Sequence, residues 1–562
     1  MNSTVGMMED SEGLARLTLA LGHAAQATAG GEPIEAVLEA PRSVAFGDFA
    51  TNVALQLAKR ARRAPQLLAT EIVARLFEDD PKLREIVAEA TPLAGFINVR
   101  MTAAYWQRVL AGILRSGADF GRAPSQDVHV SLEFGSANPT GPLVVVQGRT
   151  LSLGDSLANA MRFRGLAVTT EWIVNDAGSQ VETLGRSLYA RYRQLGEPSF
   201  PFPEDGYPGT YLTAIAERIR AADGDVWAAK PEGEWLPHFA QTGRNAIVEE
   251  QQATCRRFGV TFDRWQSEKE LHASGAVEGA IARLRERELV FETDGALWMR
   301  ATSFGDDKDR VVVRSDGRPT YYGADLAYHY DKLERTDRAL LILGPDHHGY
   351  IARLRLIADL LGRPGAIDVM LAQQMTTVRE GQIVSLSKRH GDILTLDEVI
   401  DEVGVDAARF FFAASNADSP MTFDLTLAKE QSSENPVYYV QYGHARIASI
   451  ERKAASELLL CAERGEQLER LVAPEELALI RRLADFPSTV QSVVDGLAPN
   501  RLARYARDVA ADFHQFYMAC MVLSDDEGLS VARLALARAT KRVLARALGL
   551  LGVSAPERMD RA

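Results

Sequence analysis

Residues 130–150 read VSLEFGSANPTGPLVVVQGRT, and the fold turns on how they are parsed. Val128 to Phe134 spaces valine, leucine and phenylalanine two apart, which predicts a short buried strand. Gly135 to Pro142 follows with two glycines and two prolines, through which neither strand nor helix continues. From about Val145 the pattern turns helical and runs to about Arg164, where Gly165 supplies a stop signal. Leu166 to Val174 is a second apolar strand. Strand, loop, helix, strand is a parallel unit whose first loop faces the carboxyl edge of its sheet, where nucleotides bind. An ordinary crossover without a ligand has the same periodicity, so the pattern alone leaves both open.

SANPTGPL followed by GR resembles the entry to the first signature of the class I aminoacyl-tRNA synthetases, in the form found in arginyl-tRNA synthetases. That family continues Pro-Leu with His-Val-Gly-His-Gly-Arg. The same six places here hold Val144, Val145, Val146, Gln147, Gly148 and Arg149. In the family the two histidines donate hydrogen bonds to the ATP phosphates as charge moves during adenylate formation. Valine cannot donate, and Gln147 offers only a neutral amide. Losing one preorganised donor in a comparable site costs roughly 10²–10³ in rate. The family's glycine between the histidines lets adenine approach the backbone, and Val146 puts two methyls there.

The bulk properties set wide bounds. A chain of 562 residues has room for three or more domains, and its apolar and charged fractions are those of a soluble globular protein. No run of eighteen apolar residues predicts a membrane span, and MNSTVGMMEDSEG lacks the form of a secretory signal. Cys255, Cys461 and Cys520 lie far apart, without metal or disulfide spacing, which suits a reducing cytoplasm. A net charge of −13 argues against an indiscriminate nucleic-acid coat while leaving room for local basic patches.

Before the central unit, GDFATNVALQLAKRARRAP carries a helix with Lys59, Arg60, Arg62 and Arg63 at its last turn and exit. Cations there complement the helix dipole, or they contact phosphates. ATPLAGFINVRM then reads as a closing strand. The order of these segments resembles the amino-terminal domain of arginyl-tRNA synthetases, which grips the tRNA elbow. The resemblance implies tRNA contacts at Lys59 and Arg60.

Beyond it, strands and helices alternate to about residue 380, as in a doubly wound sheet, with a polar helical insertion over about 185–265. A guanidinium substrate is planar, cationic and rich in donors, so its pocket needs a carboxylate and further acceptors at fixed angles. TYYGADLAYHY offers Tyr321 and Asp325 four apart, on one face of a helix. An amphipathic aromatic face would look the same. By resemblance Asp325 binds the arginine guanidinium, Tyr321 is its aromatic partner, and Asn138 holds the amino-acid end. Asp346, His347 and His348 end an apolar strand; with no second ligand cluster they do not predict a metal site. The family's Asp-His-His-Gly-Tyr lies against substrate and adenosine, which implies roles for His347 and Asp346.

GQIVSLSKRHG, residues 381–391, resembles the second class I signature, with Ser385 and Leu386 in place of a cation and methionine and with Ser387, Lys388 and Arg389 kept. Mobile cations suit a departing pyrophosphate, so Lys388 and Arg389 join Gln147 as catalytic candidates. The implied ATP contacts are Pro142, Val144, Gln147, Gly148, Asp346, Ser387 and Lys388. Thr395 and Glu398 form a capping box that opens the next helix.

From about 434 the sequence is helical to the end. GLLGVSAPERM resembles the family's anticodon-binding domain, with Tyr438 and Tyr439 as tRNA contacts. Where the family commonly reads Phe-Tyr-Asn-Arg-Cys-Arg-Val, this chain has Phe516, Tyr517, Met518, Ala519, Cys520, Met521 and Val522. Two cations are lost from a tRNA-facing surface, which weakens electrostatic grip.

The expected fold is therefore α/β. It has a Rossmann-type catalytic domain over 123–433, an α+β amino-terminal domain over 1–122 and an all-α anticodon-binding domain over 434–562. The implied function is arginine–tRNA ligation with arginine, ATP with Mg²⁺, and tRNA, without a tightly bound cofactor, by a cytoplasmic monomer of reduced activity. The alternative is a paralogue that binds arginine or tRNA in a sensing or accessory role.

Overall fold

The computed structural model describes residues 11–30, 34–41, 43–384 and 394–559. Five strands form a parallel sheet in the order Ile367–Leu371, Arg338–Leu343, His129–Glu133, Ala167–Val174, Arg264–Ser267. The earliest of these strands is the middle one. The chain steps outward through the next two and then returns to build the other side. Such a reversal opens a crevice at the carboxyl ends of the two strands that flank it. Here those are His129–Glu133 and Arg338–Leu343. Both faces of the sheet are covered, and Val130, Leu132, Trp172, Leu340 and Ile342 are all buried, which is why the strands read as nearly continuous apolar runs.

The predicted unit is present: strand His129–Glu133, helix Val145–Phe163 and strand Ala167–Val174, with His129 opposite Ala167 and Glu133 opposite Glu171. Gly135 leaves the first strand at φ +76°, and a Cβ there would come within 2.7 Å of Leu151. Between the second and third strands lie helices Ser179–Gln194, Tyr211–Asp223 and Glu232–Arg257, which enclose a small core of their own around Leu188, Tyr192, Leu212, Ile215, Phe239 and Ile247.

The amino-terminal unit packs helices Ser11–Ala29, Val53–Ala61 and Pro65–Asp79 against a three-stranded antiparallel sheet. ATPLAGFINVRM, read as one closing strand, is instead the end of a hairpin, Val87–Leu93 and Phe96–Met101. Ala94 at φ +51° and Gly95 at φ +84° make the two-residue turn, whose backbone twist matches that of the flanking strands. Periodicity alone did not reveal it, because alanine is not a turn-former by composition.

From Pro436 onward the described chain is helical, ending in Asn500–Ala519 and Glu527–Leu550. It docks on the catalytic unit through Arg409, which is fully buried. That guanidinium pairs with Asp155 of the Val145–Phe163 helix and donates to the carbonyls of Leu551 and Phe258, each at 3.1 Å. Among the described residues no helix is long and apolar enough to cross a membrane.

Candidate active site

The helix Val145–Phe163 begins without a polar residue at its cap, since Val144 cannot accept a hydrogen bond through its side chain. Gln147 supplies the missing polarity: the Val144 N–H donates to Gln147 Oε1 at 3.0 Å. The Val145 N–H donates to the Leu394 carbonyl at 3.1 Å and the Leu396 N–H to the Leu143 carbonyl at 2.8 Å. The first signature is thereby stitched to the segment that follows residues 385–393. With its oxygen engaged, the Gln147 amide is oriented, and among the described residues its nitrogen makes no hydrogen bond. That N–H₂ is an unpaired side-chain donor at this end of the helix among the described residues.

The neighbouring signature positions serve the framework. Gly148 is buried, and a Cβ would stand 2.8 Å from both Leu396 and Phe412, so its small size here permits close packing. Arg149, 1% exposed, donates to the carbonyls of Gln373 at 2.5 Å and of Asn416 and Ser419 at 2.9 Å, tying the helix to segments far along the chain. Val144 and Pro142 are half-buried. Asn138 is exposed on the loop and accepts from Asn175 at 3.2 Å, across from the end of strand Ala167–Val174.

On the other side of the crevice, helix Tyr321–Arg335 starts at Thr320, whose hydroxyl accepts from the Gly323 N–H at 3.2 Å. One turn in, Asp325 pairs with Arg353 and accepts from the Tyr350 hydroxyl. The Arg353 guanidinium lies 3.9 Å from the Tyr322 ring centre and 5.0 Å from that of Tyr350. Burial pushes the Asp325 carboxyl above its ordinary range, against the pull of Tyr350 and Arg353. Burial also raises the Tyr322 hydroxyl to about 12. This is a setting for a planar cation: a carboxylate with aromatic faces beside it.

Tyr321, the expected aromatic partner, is 83% exposed at the first position of the helix, and it is Tyr322 whose ring stacks on a guanidinium. Tyr321 and Tyr322 lie four and three residues before Asp325, spacings that both share its face, so sequence could not choose between them. Arg353 was not anticipated, and Tyr350 only as the last residue of the Asp-His-His-Gly-Tyr segment, without a role for its hydroxyl. They come from the turn and helix after another strand, and only the sheet order brings them to Asp325.

Beneath this corner Glu133, at the end of the middle strand, pairs with the fully buried Lys332 and accepts from the Tyr328 hydroxyl at 2.7 Å. Arg335 reaches Glu171 on the next strand at 2.8 Å. Asp346, His347 and His348 sit in the turn Pro345–Tyr350, exposed at the carboxyl edge, with His347 Nε2 at 3.5 Å from an Asp346 oxygen. Ser387, Lys388 and Arg389 lie outside the described residues. The capping box after them is as expected: the Glu398 N–H donates to Thr395 Oγ1 at 3.2 Å and the Thr395 N–H to Glu398 Oε2 at 2.7 Å.

The remaining expected contacts are on other surfaces. Lys59 and Arg60 are exposed at the end of helix Val53–Ala61. Tyr438 and Tyr439 line a cavity of about 880 Å³ with Tyr442 and His514; Tyr438 stacks on Tyr442 and Tyr439 lies 4.9 Å from His514. Met518 and Met521 are 83% and 69% exposed at the end of the adjoining helix.

The chain matches the arginyl tRNA synthetase N terminal domain over residues 15–101, the class I (R) tRNA synthetase catalytic domain over 233–448 and the DALR anticodon binding domain over 440–559. It is 44% identical over 526 residues to an arginine–tRNA ligase of Syntrophotalea carbinolica, covering 93% of this chain and 94% of that one. A counterpart of the same description from Moorella thermoacetica is 45% identical over 534 residues, with 93% and 94% covered. Among solved structures, the arginyl-tRNA synthetase of Thermus thermophilus superposes with a TM-score of 0.74 at 25% identity, over 97% of this chain and 100% of that one. Domain order, near full-length identity and the carboxylate-lined crevice agree, and the chain belongs to the arginyl-tRNA synthetase family of class I aminoacyl-tRNA synthetases.

Proposed function

We propose that this chain is an arginine–tRNA ligase. The arginine carboxylate attacks the α-phosphorus of MgATP, pyrophosphate leaves, and a ribose hydroxyl at the tRNA 3′ end then takes the arginyl group and releases AMP. The observation that carries the reading is Asp325, which already holds a guanidinium, that of Arg353, beside the ring of Tyr322. The relatives' near full-length identity supports it.

In this reading Asp325 takes the substrate guanidinium, with Tyr321 one turn away at the exposed start of the helix and His347 at the edge of the crevice. Asn138 takes the amino-acid end. ATP lies along Pro142, Val144, Gln147, Gly148 and Asp346, with Ser387, Lys388 and Arg389 on the pyrophosphate. Gln147 donates where the family's second histidine would, so turnover is reduced but not lost. Lys59, Arg60, Tyr438 and Tyr439 meet tRNA, and the working unit is a cytoplasmic monomer, as the family resemblance implies.

A second reading, an accessory protein that binds arginine or tRNA without charging, is favoured by the apolar Val144 and by exposed Met518 and Met521 where the family has polar groups. Charging of tRNA dependent on arginine and ATP separates the two. The parent should charge, and Asp325→Asn should not. Silence from the parent, with activity restored by Val144→His, Val146→Gly, Gln147→His together, would establish the accessory reading instead.

A further inference from the structure

The loop Asn138–Gly141 has no strand or helix of its own, so its carbonyls must find donors elsewhere. They find them in the insertion. Gln251, on helix Glu232–Arg257 and 1% exposed, donates its amide to the carbonyls of both Asn138, at 3.1 Å, and Gly141, at 2.9 Å. Its own oxygen has no partner among the described residues, so the amide is held by this loop alone. The Tyr211 hydroxyl, from the preceding helix, donates to the carbonyl between them, that of Thr140, at 2.5 Å.

The same face of that helix continues to a second anchor. Three residues after Gln251, the Thr254 hydroxyl donates to Asp397 at 2.5 Å, and Arg257 reaches Asp397 at 2.8 Å and pairs with Asp401. Asp397 opens the helix Leu396–Val403, whose first N–H is bonded to Leu143. One helix therefore touches the loop before the signature helix and the helix bonded to the loop's end. A side chain inserted from a separate helix sets a loop's position more tightly than the loop's own turns can.

We propose that Gln251 is a positioning residue for adenylate formation. Together with Tyr211 it fixes Asn138–Gly141, so that the amino-acid end at Asn138 and the phosphates at Gln147 keep their alignment. This rests on the reading of the loop as the meeting place of arginine and ATP. Gln251 touches neither substrate, so its loss should appear in turnover and not in affinity.

Gln251→Met keeps the side-chain length and removes both donors. Its kcat for tRNA charging should fall about 10- to 100-fold, the scale of a displacement of about 1 Å. Calorimetric Kd values for arginine and for MgATP should each stay within about threefold, since neither ligand loses a contact. A structural role alone would lower the unfolding midpoint and leave kcat untouched, and that result would overturn the proposal. Tyr211→Phe, which keeps the ring, carries the same test should Gln251→Met not fold. The two together should lose less than the product of their separate effects, because they hold one loop. A parent that charges no tRNA would sink the functional reading and the positioning role with it, whereas an active parent with an equally active Gln251→Met sinks only the latter.

Discussion

The two sides of the crevice are built on different physics. The arginine side is charged: Asp325 with Arg353 half-buried, Glu171 with Arg335 buried at the carboxylate, and Glu133 with Lys332 buried at both ends. The signature side is mostly apolar, its buried cation, Arg149, being held by backbone carbonyls. Its valines pack, the Val144 and Val145 N–H groups are bonded to Gln147 and to the Leu394 carbonyl, and the Gln147 amide nitrogen has no hydrogen-bond partner among the described residues. A buried ion pair cannot lose one member cheaply, because the survivor is left charged in a poor solvent. A hydrogen-bond donor at the edge of a crevice can be exchanged for a valine with little effect on folding.

Stability should expose this asymmetry most strongly. Lys332→Met leaves Glu133 unpaired in the core and should cost about 3–5 kcal/mol. Val144→Ala, by contrast, removes little from a half-buried position, about 1 kcal/mol or less. Denaturant unfolding of both variants checks the difference, and equal losses would erase it. In activity the order reverses. Gln147→Glu keeps the acceptor that caps the Val144 N–H but replaces the donor with a carboxylate facing phosphate. Its kcat should fall by roughly 10²–10³ with the unfolding midpoint unchanged; a variant as active as the parent would show that Gln147 does not face ATP.

The strand–loop–helix–strand unit was legible because its apolar spacing changes from two to helical on either side of a glycine- and proline-rich break. The capping box at Thr395 and Glu398 was legible because it is local. What escaped was everything set by the order of strands. Arg353 follows Asp325 by 28 residues, and no spacing rule joins a helix to a turn across a sheet. Tyr321 and Tyr322 take different surroundings for a narrower reason. Adjacent positions both satisfy helical spacing, and only the cap at Thr320 decides which ring turns outward.

A smaller effect separates the two sides by pH. His329, on the arginine side, is 2% exposed, and burial first, then Lys332 and Arg353, hold its pKa well below the ordinary value. It is neutral in the fold, whereas the unfolded chain takes up the proton as pH falls through about 6.5, so stability present above that pH is lost below it. The loss is at most about 1.4 kcal/mol per pH unit for each such group. His444 and His514, lowered by burial, add in the same direction. His329→Gln should flatten the fall in unfolding midpoint between pH 7.5 and 5.5; an unchanged slope would show that the group is not buried as described. The described part of the first signature, Val144–Arg149, carries no histidine.

The smallest expected change lies farthest from the crevice. Met521→Arg restores a cation to an exposed position, and should raise the salt dependence of tRNA binding by about one unit of slope. Filter binding across a salt series would read it, and an unaltered slope would place Met521 away from the phosphates.

The buried Arg409 also dictates an order of events during synthesis. Asp155 on the signature helix waits for Arg409, and Arg409 in turn waits for the carbonyl of Leu551. Nearby, Asn159 reaches the carbonyl of Leu550, 391 residues later. At the pace of translation this delay is on the order of 20–80 s. For that interval the helix meant to face ATP exists on the ribosome without the partners that lock it, and the arrival of the carboxyl-terminal residues completes the catalytic unit.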